Sequence, residues 1–348
     1  MMQERSDIRC DYQILNPIDY LWLPYWKDFC NFALEMNMKI KTPRGAFAGY
    51  LAGIIAAATF GLNPAFAVPM MREGMDVVSI LFYRYMLSVP LMILVLAIKR
   101  QNVILGKKCI LCALGAGVLM SMSSVTLFES YKYLSVGVAS GLIFIYPLFV
   151  ALIMVAFFRE KMNIVTAVGI LCAILGVFMI CFPGGGIVVS WFGVGIVTMS
   201  ALFYALYIVF VNRDPMRSAN TFALTLWVLI SGAIVTGICV AASGHLDIPA
   251  HTSGWMNLWM LALLPTLLSL LCTNMAIDRI GPTPTAVLGV FEPVTAVLLG
   301  MVMFNEMLTM VQWVGLAIIL ASVSAIMLRK ELAKHLRRLF PGSSRGQM

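Results

Sequence analysis

Between residues 47 and 328 the chain alternates apolar runs of about twenty residues with short polar breaks. Ten runs, near 47–70, 77–98, 109–128, 135–158, 164–182, 191–212, 221–242, 255–277, 283–304 and 312–328, are candidates for transmembrane helices. A hydrocarbon core of about 30 Å takes roughly 20 helical residues to cross, and these runs have that length. Two connections are tight, Arg159 to Asn163 and Asn305 to Val311, so the helices they join are antiparallel neighbours. The pattern predicts an all-α membrane protein of ten transmembrane helices.

The runs also repeat. Residues 131–180 return without a gap at 277–326, an offset of 146, with 10 of 50 positions identical. Pro147/Pro293, Glu160/Glu306 and Gly169/Gly315 are among the identities. Two halves follow, 47–182 and 191–328, each of five predicted helices. An odd number of crossings sends the second copy into the membrane from the opposite side. The expected architecture is therefore two inverted five-helix repeats related by a pseudo-two-fold axis in the membrane plane. Such symmetry suits alternating access, because exchanging the conformations of the halves converts an inward-open state into an outward-open one.

Composition agrees with a lipid solvent. The 348 residues are 61% hydrophobic and only 11% charged, against about 25% charged in a soluble domain. The net charge of +8 is a matter of topology. With both termini cytoplasmic, all of the 24 Lys and Arg except Arg72, Lys132 and the intrahelical Arg84 fall on the cytoplasmic side. That placement leaves no nucleic-acid surface. Six of the eight cysteines lie in or beside apolar runs, which argues against a disulfide framework. Cys109 and Cys112 form a CxxC with no second ligand pair nearby. Neither a metal site nor a cofactor site is expected, nor is a catalytic triad. His245, His251 and His335 fall in loops or in the tail.

Residues 1–46 form a cytoplasmic N-terminal segment without the features of a signal peptide. The stretch Ile14–Leu34 is aromatic but carries Asp19, Lys27 and Asp28, so it does not span. Two readings stay open for 1–35: an interfacial segment, or a stretch absent from the product because translation starts at Met36 or Met38. Residues 329–348 are a basic cytoplasmic tail.

The two copies read YPLFVALIMVAFFREKMNIVTAVG and EPVTAVLLGMVMFNEMLTMVQWVG. In each, a Pro is followed about a dozen residues later by Glu, and then by Gly eight or nine residues on. Their lead-ins are LFESYKYLSVGVASGLIF and LLCTNMAIDRIGPTPTAVLGVF. This pattern resembles the EamA repeat of the drug/metabolite transporter superfamily, over about residues 47–328. Arg84 in FYRYM matches an Arg common in the second helix of that family, while Tyr146 departs from what many first-half copies carry before the Pro. The resemblance implies an inner (plasma) membrane, multi-pass metabolite transporter, with export more expected than uptake. It also implies a central cavity between helices 1–4 and 6–9, with helices 5 and 10 supporting it from outside. The lipid bilayer and a small-molecule substrate are the expected partners, with protons as a candidate coupling ion and a monomer or homodimer as the assembly. Other classes stay open: a channel-like facilitator, and a receptor or accessory protein that moves nothing.

Polar residues inside apolar runs carry the candidate chemistry. An ionisable group in hydrocarbon costs about 2.5–3.5 kcal/mol on insertion scales, so it faces the protein interior. Glu292, tenth in predicted helix 9, lies roughly 13–15 Å deep at 1.5 Å per residue. It suits a substrate ammonium or a coupling proton; a structural hydrogen bond to a neighbouring helix is the alternative. Arg84 lies about 10 Å below the outer surface and suits a substrate carboxylate, an ion pair with Glu292, or a packing role. Asn63, beside Pro64, either repairs the carbonyl that the proline leaves unpaired or points into a pocket. Tyr146 is the repeat mate of Glu292 and a candidate pocket wall. Ser200, Tyr204 and Tyr207 form a stripe at i, i+4 and i+7; Asn274 is a weaker candidate of the same kind. Glu160 and Glu306, at helix ends in both halves, suit capping or hinge hydrogen bonds, and Pro147 and Pro293 are expected scaffold. Glu129 and Asp278 fall at the interface.

Overall fold

Apolar runs become helices, because a chain in lipid must satisfy its backbone groups internally. The computed structural model describes residues 43–101, 104–158, 164–181, 189–211, 213–216, 219–280, 285 and 288–339. The chain divides into two units, 1–46 and 47–348. Of the first, only residues 43–46 are described, as helix.

The helices are α1 Pro43–Gly61, α2 Asn63–Arg72, α3 Val77–Ile98, α4 Lys107–Ser130, α5 Val136–Ile143, α6 Tyr146–Phe158 and α7 Ile164–Cys181. After these come α8 Trp191–Val211, α9 Thr221–Ser243, α10 Thr252–Leu261, a π-helical turn Ala262–Leu268, α11 Ser269–Ile280, α12 Phe291–Phe304 and α13 Met310–Leu339. Side chains mark several starts. Asp76 accepts the Val78 N–H at 3.1 Å, and Asn220 accepts that of Phe222 at 2.9 Å. Gly244, at φ 74°, ends α9 in the left-handed conformation.

Among the described residues, seven stretches are long and apolar enough to cross a membrane: Phe47–Arg72, Val77–Ile98, Lys107–Ser130, Val136–Phe157, Trp191–Val211, Thr221–Ser243 and Thr252–Ile277. Three shorter apolar helices, Ala167–Cys181, Phe291–Phe304 and Met310–Ile326, lie where the sequence places its fifth, ninth and tenth segments. The protein is all-helical and multi-pass. Side chains such as Phe157, Ile164 and Val302, each more than three-quarters exposed, face outward, as lipid contact requires.

Two expectations are corrected. The last helix does not stop at 328; it runs to Leu339, into the basic tail. The predicted segments 1, 4 and 8 are interrupted rods. Prolines are the reason: each removes an N–H and clashes with the carbonyl four residues back. Pro64 sits at the α1–α2 break, Pro147 at the α5–α6 break and Pro265 in the π-helical turn. Pro293 occupies the equivalent place in α12, whose N-terminal turn at Gly289–Val290 is described, whereas residues 281–284, 286 and 287 are not.

Lipid tails give apolar helix faces no net drive to associate, so small residues and hydrogen bonds hold the bundle. A Cβ built on Gly176 of α7 would lie 2.7 Å from the Gly315 carbonyl oxygen of α13, and one on Gly315 would lie 2.7 Å from that of Gly176. Further along, Gly169 packs against Ile326 and the Ser322 carbonyl. The two helices therefore cross antiparallel and nearly touch. Helix α4 is bound to α8 by reciprocal bonds: Ser123 Oγ donates to the Ser200 carbonyl at 3.0 Å, and Ser200 Oγ donates to the Ser123 carbonyl at 2.7 Å. Ser231 Oγ of α9 donates to the Leu114 carbonyl at 2.7 Å, and Ser269 Oγ of α11 donates to that of Ala56 at 2.9 Å. Helix α12 packs along α5 and α2.

Candidate functional site

Helix interruptions converge on one place. Phe60 and Asn63 flank the α1–α2 break, Ile143 and Tyr146 flank the α5–α6 break, and Glu292 stands in the first turn of α12. All five line a single cavity, together with Arg84 of α3, Ser123, Ser124 and Phe128 of α4, and Tyr204 of α8. Its free volume is about 30 Å³, room for about two waters. A smaller cavity of about 10 Å³ adjoins it, sharing Asn63 and Glu292 and adding Tyr131 and Ser140.

At three of these prolines a neighbouring residue takes the carbonyl left unserved. Pro64 leaves the Phe60 carbonyl without an amide, and Asn63 Nδ2 donates to it at 2.8 Å. Pro265 does the same to Leu261, whose carbonyl accepts from Thr266 Oγ1 at 3.0 Å. Pro293 cannot serve Gly289, and the Glu292 N–H takes that carbonyl at 3.0 Å. The repair leaves a spare polar function in two cases. Asn63 Oδ1 is buried without a partner among the described residues. Thr266 Oγ1 accepts Arg84 Nε at 2.9 Å.

Arg84 is only 4% exposed. Besides Thr266, its guanidinium stands 5.8 Å from the Phe128 ring centroid, a cation–π distance. Of the alternatives open to Arg84, the ion pair with Glu292 is not made; both line the cavity, and among the described residues neither forms a salt bridge. No hydrogen bond among the described residues reaches the Glu292 carboxylate. A guanidinium and a carboxyl group thus share one small cavity without forming an ion pair, beside a buried acceptor.

Aromatic rings wall the other side. Tyr146 meets Tyr204 edge-on at 4.7 Å between centroids, and Phe144 backs Tyr146 at 5.8 Å. Of the predicted stripe on α8, only Tyr204 reaches the cavity. Ser200 is fully buried in its exchange with Ser123. Tyr207 stacks behind Tyr204 at 5.9 Å, against the apolar cluster that contains Cys109. Asn274, on α11, lines neither cavity, and its Nδ2 is buried without a partner among the described residues.

Glu306 lies away from the cavity and caps. Its Oε1 accepts the Val136 N–H at 2.7 Å and its Oε2 that of Gly137 at 3.1 Å. Glu160 lies outside the described residues, as does the side chain of Asp278. Glu129 pairs with Lys132 at 2.8 Å. Pro147 and Pro293 are buried at their breaks. Thr266, Ser123 and Phe128 were not singled out from the sequence; the signal for Thr266 was a hydroxyl directly after a proline inside an apolar run.

Comparison with known proteins bears on the family and the fold. An uncharacterized transporter of Synechocystis sp. is 28% identical over 222 residues, 62% of this chain and 65% of that one. The uncharacterized transporter YdfC of Bacillus subtilis is 23% identical over 184 residues, 60% of its length, so the match spans less than two thirds of either protein. The uncharacterized transporter YcbK of Bacillus subtilis is 26% identical over 288 residues, 78% of this chain and 90% of that one. One solved crystal structure superposes with a TM-score of 0.59 over 82% of this chain and 99% of its own, at 15% identity, a likeness of fold alone. The model of the EamA-like transporter family matches twice, over residues 47–182 and 191–328. Matched over both halves, this multi-pass membrane protein belongs to the EamA-like transporter family of the drug/metabolite transporter superfamily.

Proposed function

We propose that the protein exports a small zwitterionic metabolite, an amino acid or a related amphipathic compound, across the plasma membrane by alternating access. The observation that carries this reading is the unpaired juxtaposition of Arg84 and Glu292 in one cavity. Arg84 presents a planar donor fork that suits a substrate carboxylate. Glu292 suits the ammonium, and the Tyr146–Tyr204 wall suits an apolar side chain. When no substrate is bound, Glu292 is the group that takes up a proton, which couples export to proton entry. Tyr204, Tyr146 and Asn63 complete the binding set; Ser200, Tyr207 and Asn274 act through packing.

Ten crossings in two inverted halves are the proposed framework. Gly169 meets Ser322, and their repeat mates Gly315 and Gly176 meet each other. A two-fold axis produces such reciprocity, and the antiparallel crossing of α7 and α13 supports an axis in the membrane plane. Free volume near 30 Å³ is far below the 300 Å³ or more of a ligand pocket, which favours a shape-changing carrier over an open pore. Discontinuous helices at the centre belong to the same design.

Counterflow in proteoliposomes tests the reading. A tracer amino acid, chosen from a panel by the sensitivity of a deletion strain, should accumulate against its gradient in exchange for unlabelled amino acid. Downhill flux alone, without counterflow, would sink alternating access.

A further inference from the structure

Asn63 is 4% exposed and has one amide orientation open to it. The Phe60 carbonyl only accepts hydrogen bonds, so the Asn63 nitrogen must face it, at 2.8 Å, and Oδ1 must face away. That oxygen is buried with no donor from any described residue. Asn63 and Glu292 line the same two adjoining cavities. A buried acceptor normally has a partner, and here the protein supplies none. Glu292 alone would attract any cation. Two acceptors of different kinds, one charged and one neutral, ask for a cation that also carries several N–H bonds.

We propose that Asn63 makes the site selective for primary ammonium groups, its Oδ1 accepting one N–H while the Glu292 carboxylate accepts another. This deepens the zwitterion reading and rests on it. A primary ammonium has three N–H donors and satisfies both oxygens. An N,N,N-trimethylated analogue keeps the charge, and so keeps its attraction to Glu292, but has no donor for Asn63. Sites built to hydrogen-bond a substrate N–H reject analogues that lack it, because the protein's own polar group is then left unpaired.

The test uses the full-length protein in lipid nanodiscs and measures Kd for the common amino acids, then for the N,N,N-trimethyl derivative and the deaminated acid of the tightest binder. The trimethyl derivative should bind at least tenfold more weakly than its parent. Asn63→Leu is made in a Pro64→Ala background, which returns a backbone N–H to the Phe60 carbonyl and separates helix repair from ligand contact. Discrimination should fall below threefold in the double variant and persist in Pro64→Ala alone. Asn63→Asp, which keeps the acceptor and loses the donor to Phe60, should still discriminate; it covers the case in which the double variant does not fold. Equal binding of parent and trimethyl derivative by the wild type overturns the inference while leaving the zwitterion reading standing. Discrimination that survives in the folded double variant also overturns it. If none of the amino acids binds, the zwitterion reading itself falls and takes this inference with it.

Discussion

The Glu306 carboxylate accepts the backbone N–H of Val136 at 2.7 Å, tying the end of α12 in the second half to the start of α5 in the first. Gly137 supplies a second N–H at 3.1 Å. The local chain is shaped for this clasp. Asn305 turns into the left-handed conformation at φ 53°, and the Glu306 N–H returns to the Gly300 carbonyl at 3.0 Å. A carboxylate at a helix N-terminus also meets the positive end of the dipole.

Removing that clasp should open the same side of the cavity. Each hydrogen bond to a charged group is worth about 1.5–3 kcal/mol, so Glu306→Ala should lower Tm by several degrees. It should also speed labelling of a cysteine placed at Ile143 by an impermeant thiol reagent applied from the face that carries Lys132. Glu306→Gln keeps one acceptor and should fall between. Unchanged labelling in Glu306→Ala would mean that the contact is ornament and not a closure.

Gly300 gives an independent check on the same contact. A Cβ there would lie 2.5 Å from Glu306 Oε2, so Gly300→Ala should displace the carboxylate and reproduce the Glu306→Ala labelling. The two effects should not add in the double variant, because they break one interaction. Full additivity would separate them.

The α7–α13 crossing depends on backbone approach at Gly176 and Gly315. Alanine at either must part the helices or displace a carbonyl, a strain that typically costs about 1–3 kcal/mol. Thermal unfolding should show Gly176→Ala and Gly315→Ala both less stable than wild type, whereas Gly195→Ala, with open space around its Cβ position, should leave Tm within a degree or so.

Much of this was legible in the sequence, because hydrophobic length and a repeated motif report depth in the membrane directly. Depth put Glu292 and Arg84 well inside the membrane and the repeat made Tyr146 the mate of Glu292, and the structure brings these three and Asn63 to one cavity. Azimuth was not legible. Ser200 and Tyr204 share a helix face by spacing, yet Ser200 is captured by Ser123 on α4 and only Tyr204 reaches the cavity. Nor does depth give lateral distance, which is why an Arg84–Glu292 ion pair stayed among the alternatives while Thr266 was not foreseen. The prolines were visible as residues, but the partners that mend the breaks at Pro64, Pro265 and Pro293 are set by the fold.

Glu292→Gln removes the ionisable group and keeps the shape. Efflux by the wild type should rise as the external medium is acidified, since a proton entering on Glu292 resets the carrier. In Glu292→Gln the dependence should be flat and net efflux low, while exchange of substrate for substrate survives. An unaltered pH profile would assign coupling to another group.

Thr266 offers the sharpest separation of positioning from packing. Its hydroxyl donates to the Leu261 carbonyl and accepts Arg84 Nε, so one oxygen both mends the π-helical turn and aims the guanidinium. Turns of this kind recur at functional sites. Thr266→Val preserves volume and removes both bonds; Thr266→Ser restores both. If Arg84 holds the substrate carboxylate, Thr266→Val should raise KM for the transported amino acid about tenfold, a loss of about 1.4 kcal/mol, with kcat little changed. KM for the corresponding methyl ester, which has no carboxylate, should not move. Thr266→Ser should return the amino acid KM to within a few-fold of wild type. A purely structural Thr266 would lower the folded yield of Thr266→Val and weaken both ligands alike, so the ratio of the two KM values decides between them.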